Sequence, residues 1–313
     1  MAEHTNRRRF IALAGSTAAV AIAGCLDGGS DEETTEGPMD TGMTESPGMD
    51  GGMTETPEMD GGMTETPGMD DGMTSGPVTV TVRIENVAPT DYYDSMTSTG
   101  GAIWLTPGAF AIHTGQNPIY TESEAASIGQ EALAEAGLAT GFEGESGLLE
   151  ELQGMEMGVQ SVGAFTPANT VADPNDPMGE VPGAPPIAPG GAFEFDVEVE
   201  PGQKFSFASM FVPSNDLFFA PGPDGIALWP EDGEPVSGDV TEHVALWDAG
   251  TEPNAQPPGE GPDQAPAQDS PNQGDEEMGS VRRVSGMMDT YDYPAVEDAI
   301  RVTLTPHEMM SDS

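Results

Sequence analysis

Three carboxylates stand where the chain turns out of apolar segments. Asp216 follows Phe205 to Val212 and Pro213, and Asp248 and Glu252 flank Ala249-Gly250-Thr251 behind Val244 to Trp247. Calcium takes about six to eight oxygen ligands at roughly 2.3–2.6 Å, commonly carboxylates drawn from loops. Four-residue spacing across a glycine turn lets Asp248 and Glu252 converge on one point. If the two preceding strands are neighbours, their ends bring Asp216 to the same point. Glu198, from an earlier strand, is a further candidate. The alternative is a set of solvated acids, because residues 78–313 hold 40 of them and some fall in turns by chance.

Other chemistry-bearing residues are few. The chain has one cysteine, Cys25, which excludes an internal disulfide framework and a Cys-based zinc site. Blue copper needs a cysteine ligand beside histidines, and Cys25 has another use. His113 lies in a strand-like segment and reads as a hydrogen-bonded structural residue. His243 and His307 have no evident partners in the sequence. There is no Gly-x-Ser-x-Gly elbow and no phosphate loop with its lysine, since Lys204 is the only lysine. The expectation is a binding protein, not an enzyme.

Charge sets the solvent. With 8 Lys+Arg against 55 Asp+Glu the formal net charge is −47. Nucleic acid and anionic headgroups need a basic face and are excluded as partners. Scarce lysine with abundant acid suits a folded protein in molar salt, where the Debye length falls to about 3 Å and self-repulsion is screened. The composition therefore reads as halophilic.

The N-terminus reads as an address. Arg7, Arg8, Arg9 and Phe10 precede the apolar run Ile11–Ala23, too short for an ordinary transmembrane helix. This resembles a twin-arginine export signal over 1–24. Ala21-Ile22-Ala23-Gly24-Cys25 resembles a lipobox, which makes Cys25 the lipidated residue and the membrane contact. The expected location is the outer face of the cytoplasmic membrane.

Residues 25–77 follow as a linker. A ten-residue Met/Gly/Thr/acid unit recurs from Met39, Met49, Met59 and Met69, with no aromatic and no Val, Ile or Leu after Leu26. Such a unit cannot bury a core and reads as a disordered, extended spacer. Its eight methionines, in pairs four apart, are the soft ligands that suit Cu(I). The linker reading and the cuprous reading both fit them.

The body spans 78–313 and must position the carboxylates. Val78 to Ile84 and Phe193 to Val199 alternate as half-buried strands do. Ile103 to Leu105, Ala109 to His113, Phe205 to Val212, Val244 to Trp247 and Ile300 to Leu304 add strands, with Thr106-Pro107-Gly108 expected as a turn. A helix is expected over Glu122 to Ala136, capped by Ser123 and closed at Gly137, with a helical turn at Leu148 to Leu152. The predicted class is mainly β: an antiparallel β-sandwich with one or two short helices. Residues 253–280 form a long loop without aromatic or branched apolar residues, either functional or disordered.

Four blocks carry a family resemblance. Leu105 to His113, Ala125 to Glu135, Val212 to Phe219 and Leu246 to Glu252 resemble, in the same order, the N-terminal spondin domain, over about residues 78–305. In particular, the chain is similar to prokaryotic members of the type found as exported haloarchaeal lipoproteins. The resemblance implies a C2-like sandwich, a bound calcium ion, and adhesion at a cell surface. It maps the calcium ligands onto Asp216, Asp248 and Glu252. Glu252 stands where the family has Asp, and Asn215 and Leu217 where animal members have Pro and Trp. The expected function is calcium-dependent adhesion or binding of an extracellular protein or glycan. The alternative is a lipoprotein that binds a soft metal or a small solute for a transporter.

Overall fold

The computed structural model describes residues 76–93, 99–155, 157–172, 186–255 and 273–307. The signal segment, Cys25, the Met-rich repeat and the middle of the 253–280 loop lie outside the described residues. Among the described residues the protein is mainly β, built from two antiparallel sheets and two α-helices.

The first sheet has β1 (Val78–Asn86), β5 (Ala192–Val199), β4 (Thr170–Ala172), β12 (Ile300–Pro306) and β9 (Gly238–Asp239), in the order β4-β5-β1-β12-β9. Strict alternation decides its faces. Val80, Val82 and Ile84 of β1 point inward with Phe193, Phe195 and Val197 of β5, while Glu194, Asp196 and Glu198 point outward. Period-two patterning is what one buried face requires.

The second sheet has β2 (Trp104–His113), β3 (Val159–Phe165), β6 (Lys204–Val212), β7 (Leu217–Pro221), β10 (Val244–Asp248) and β11 (Arg282–Arg283), in the order β11-β10-β7-β6-β2-β3, with β8 (Ile226–Ala227) paired to β6. Its strands do not alternate in burial: all five residues of β7 and of β10 are buried. The reason is a layer on each side. Phe110, Phe205, Phe207, Phe211 and Phe219 face the first sheet. Ala109, Ala111, Ala208, Ala220 and Ala245 face the helices α1 (Ile128–Ala136) and α2 (Leu148–Gln153), against Leu133, Ala134, Leu148 and Leu152. Large rings fill the sandwich, and small side chains let the helices approach. Each fully buried Phe contributes about 1.5–3 kcal/mol.

Two local expectations are corrected. Thr106-Pro107-Gly108 is not a turn between strands. It lies inside β2, where the register against β6 shifts between Leu105 and Gly108. Pro107 has no N–H to give the ladder, and Thr106 supplies the missing bonds. Its Oγ1 accepts from Met210 N at 3.0 Å and its carbonyl accepts from Ser209 Oγ at 2.8 Å. A Cβ at Gly108 would lie 1.9 Å from the Ala208 carbonyl oxygen and 2.5 Å from the Phe165 ring. Gly108→Ala is expected to cost about 2 kcal/mol by forcing β2 and β6 apart, read as a lower denaturation midpoint. An unchanged midpoint would show that the bulge adapts freely.

The helix starts later than its pattern suggests. Its N-cap is Ser127, whose Oγ accepts from Gln130 N at 3.1 Å, and its C-cap Gly137 has φ 68°. Ser123 instead has φ 70°, and residues 123–124 exchange backbone hydrogen bonds with Val281, both 2.8 Å. Those long-range bonds take the groups that a longer helix would use. Among the described residues no helix is long and apolar enough to cross a membrane.

Candidate metal centre

Two neighbouring strands of the second sheet bring the segments that carry the predicted carboxylates side by side. β7 and β10 pair antiparallel with Asp248 opposite Leu217, so the end of β10 meets the entry to β7. The 213–217 segment is closed by Ser214, whose Oγ donates to Phe211 O at 2.6 Å and accepts from Leu217 N at 3.1 Å. This turn directs Asp216 towards the 249–252 turn. Ala249 N donates to Asp216 O at 3.2 Å, and Asp216 Oδ2 accepts from the N–H groups of Thr251 at 2.8 Å and Glu252 at 3.2 Å. Gly250, at φ 71°, is pressed against Gly279 and Ser280, and an added Cβ would lie 2.6 Å from Ser280 N. Only glycine suits that approach.

All three predicted ligands are buried: Asp216 and Asp248 at 0% exposure and Glu252 at 3%. Asp248 Oδ2 accepts from Asn254 Nδ2 and from an Arg282 guanidinium nitrogen at 3.1 Å. A buried carboxylate normally fills every lone-pair direction it can. Here Asp216 Oδ1 and Asp248 Oδ1 have no hydrogen-bond partner.

Two further oxygens share that condition. Asn215 donates from Nδ2 to Pro253 O at 2.8 Å, while its Oδ1 has no partner. Glu135, on the last turn of α1 and 2% exposed, touches Thr251 and leaves Oε2 without a partner. The sequence placed Glu135 within the helix and at the end of a family-like block, with no ligand role. Its signal was position: it stands three residues after Ala132, on the face that packs against the second sheet.

Electrostatics in this cluster is repulsive. Burial first, then the charge of Asp248, pushes the Asp216 carboxyl up, against the lowering effect of the Glu252 and Thr251 N–H groups. Burial also raises Asp248, opposed by Asn254 and Arg282. Burial pushes Glu135 up to about 7, with Glu131 and Glu276 adding to it and Thr251 opposing it. Desolvation and like charge both disfavour the ionised forms. A cation is the natural complement of the open atoms on Asn215, Asp216, Asp248 and Glu135, which are all oxygens, the donor type calcium takes; Arg282 Nε in the same cluster is likewise without a partner. Yet among the described residues no three His, Cys, Asp or Glu side chains form a ready ligand group for a metal. The donors fit calcium in kind without being gathered as a shell.

Glu198 is corrected out of this site. It lies on β5 of the first sheet, opposite Thr79, and is exposed on the outer face, because Val197 and Val199 take the inward positions. His113 is buried beside Ser206, Nε2 to Oγ 2.9 Å, and burial together with Lys204 lowers it to about 4. A neutral, buried imidazole of this kind is a packing residue.

The loop after Glu252 is tied down at both described ends. Glu277 N donates to Thr251 O at 2.6 Å, Gly279 N to Gly250 O at 2.8 Å, and Tyr291 Oη to Asn254 O at 3.3 Å. The base of the 253–280 insertion is thus part of the carboxylate site. No family model matches this chain, and no curated protein matches it.

Proposed function

We propose that the chain is an exported, lipid-anchored, spondin-like domain that binds calcium through Asp216, Asp248 and Glu252 and acts in adhesion or extracellular ligand binding. The observation that carries this reading is the set of buried oxygens without donors on Asn215, Asp216, Asp248 and Glu135, around carboxylates that repel one another. Each such atom costs about 1–3 kcal/mol if nothing satisfies it. An oxygen-only donor set favours calcium over the soft metals of the alternative lipoprotein reading. When bound, calcium would supply positive charge to the cluster. This chain's own residues fix Asp216 through two N–H groups, aim Asp248 from the strand end, and exclude water by burial.

Export and anchoring rest on Arg7 to Arg9 and on Cys25. The lipid contributes about 0.8 kcal/mol per buried methylene and supplies the membrane contact. The acidic body then faces outward, in salt that screens it.

The test is a thermal melt of the full chain in molar KCl, with calcium and with chelator. Calcium at about a hundred times its Kd should add about 2.7 kcal/mol. Asp248→Asn should melt alike in both conditions. Wild-type chain that melts identically with calcium and with chelator would sink the reading.

A further inference from the structure

The carboxylate cluster carries a positive charge of its own. Arg282 lies on β11 directly opposite Asp248, so backbone pairing places it. One terminal nitrogen reaches Asp248 Oδ2 at 3.1 Å and Glu277 Oε2 at 3.3 Å. The other reaches Glu277 Oε1 at 3.1 Å. Its neighbour Arg283 turns the other way, 5.0 Å over the Trp247 ring. In a chain with 8 Lys+Arg, a guanidinium held in register against a buried aspartate is not surface decoration.

Resting on the calcium reading, we infer that Arg282 is the selectivity element of the site: a tethered counter-cation that competes with diffusible cations for Asp248. The physical basis is charge and reach. Arg282 and Asn254 share Asp248 Oδ2, and Oδ1 of the same carboxylate has no partner. Any ion drawn to Oδ1 meets the guanidinium across one carboxylate. The guanidinium also repels a divalent ion twice as strongly as a monovalent one, so the discrimination lies in displacement. Potassium, with no more charge than the tethered Arg282, does not dislodge it from Asp248, whereas calcium, with twice the attraction to the carboxylates, does. In molar potassium this keeps the carboxylates from being filled by the bulk salt and leaves them open to a divalent ion. The fork also ties the site to the insertion, because Glu277 belongs to its returning stem.

The test is calcium titration of the full chain by calorimetry, in molar KCl and in choline chloride of equal ionic strength. Wild type should give nearly the same Kd in both salts. Arg282→Gln should bind calcium about tenfold tighter in choline chloride and lose most of that gain in KCl, because potassium now competes. Arg283→Gln removes the same charge one residue away and should behave as wild type. Arg282→Lys keeps the charge but cannot fork between Asp248 and Glu277. It should remain folded if Arg282→Gln does not, with an intermediate affinity and potassium dependence.

An Arg282→Gln affinity in choline chloride that is unchanged or weaker, or a potassium dependence equal to that of wild type, overturns the inference. If the glutamine variant does not fold, wild-type behaviour of Arg282→Lys overturns it. Wild type and variants that all fail to bind calcium sink the calcium reading itself, whereas equal binding by all sinks only the role of Arg282.

Discussion

Asp216→Asn is expected to stabilise the calcium-free protein by about 2 kcal/mol at pH 7, or about 4–8 °C in Tm. The asparagine carbonyl can still accept from the Thr251 and Glu252 N–H groups. Its amide adds a donor among oxygens that have none, and one buried charge beside Asp248 and Glu135 is gone. The sign of the pH dependence follows from linkage. The carboxyls of Asp216 and Glu135 are raised in the fold, so the folded chain holds more protons than the unfolded one from about pH 4 to about pH 7. Their contribution to stability is present below that window and is lost as pH rises through it. The gain of the variant over wild type should therefore be small near pH 4 and full by pH 7.

Calcium should reverse the order. Wild type gains about 2.7 kcal/mol at a hundredfold excess over Kd, and the variant gains little. A site that weakens the empty fold and strengthens the loaded one is the trade-off expected of function. Thermal melts at several pH values, each with calcium and with chelator, read both effects. A calcium-free variant less stable than wild type at pH 7 would show that the carboxylate is needed for packing alone.

Trp247→Ala is expected to cost about 4 kcal/mol, roughly 10 °C in Tm. Trp247 is fully buried on β10, one residue before Asp248, with its ring 4.6 Å from Tyr120 and Nε1 donating to Ala220 O at 3.1 Å. It fills the layer between the second sheet and α1, so its loss leaves a cavity beneath the strand end that aims Asp248. Trp247→Phe keeps most of the apolar volume and loses the hydrogen bond, and about 1–2 kcal/mol is expected. The calcium-induced rise in Tm should shrink in the alanine variant and persist in the phenylalanine one. Denaturant and thermal unfolding followed by circular dichroism measure both. An alanine variant with wild-type stability would place Trp247 outside the cooperative core.

Much of the first sheet was legible. Val78 to Ile84 and Phe193 to Val199 alternate because one face meets the core and the other meets solvent, and that contrast is written in residue types. The second sheet was less so. Leu217–Pro221 is a strand of the sheet centre, yet its Leu-Phe-Phe-Ala carries no period, because helices and sandwich bury both of its faces. The bulge at Thr106 to Gly108 read as a turn, since Pro-Gly chemistry is the same in both settings. Ser123 read as a cap, but Val281, distant in the chain, claims that segment.

The candidate site divides the same way. Asp216, Asp248 and Glu252 stood out by their places at strand ends and across a glycine turn, which are local facts. Glu135, Asn215 and Arg282 did not, because their closeness depends on a helix packing on a sheet and on β11 pairing with β10.

By itself, then, the sequence determined the mainly β class, the alternating first sheet, the glycine turn and the carboxylates beside it. These follow from hydrophobic period and backbone sterics, which act within a few residues. Tertiary structure alone decided that Asp216 and Asp248 are buried from water, that the Oδ1 atom of each finds no donor, and that an arginine 34 residues on faces one of them. Burial and charge pairing are properties of distance in space, and the order of residues along the chain does not encode that distance locally.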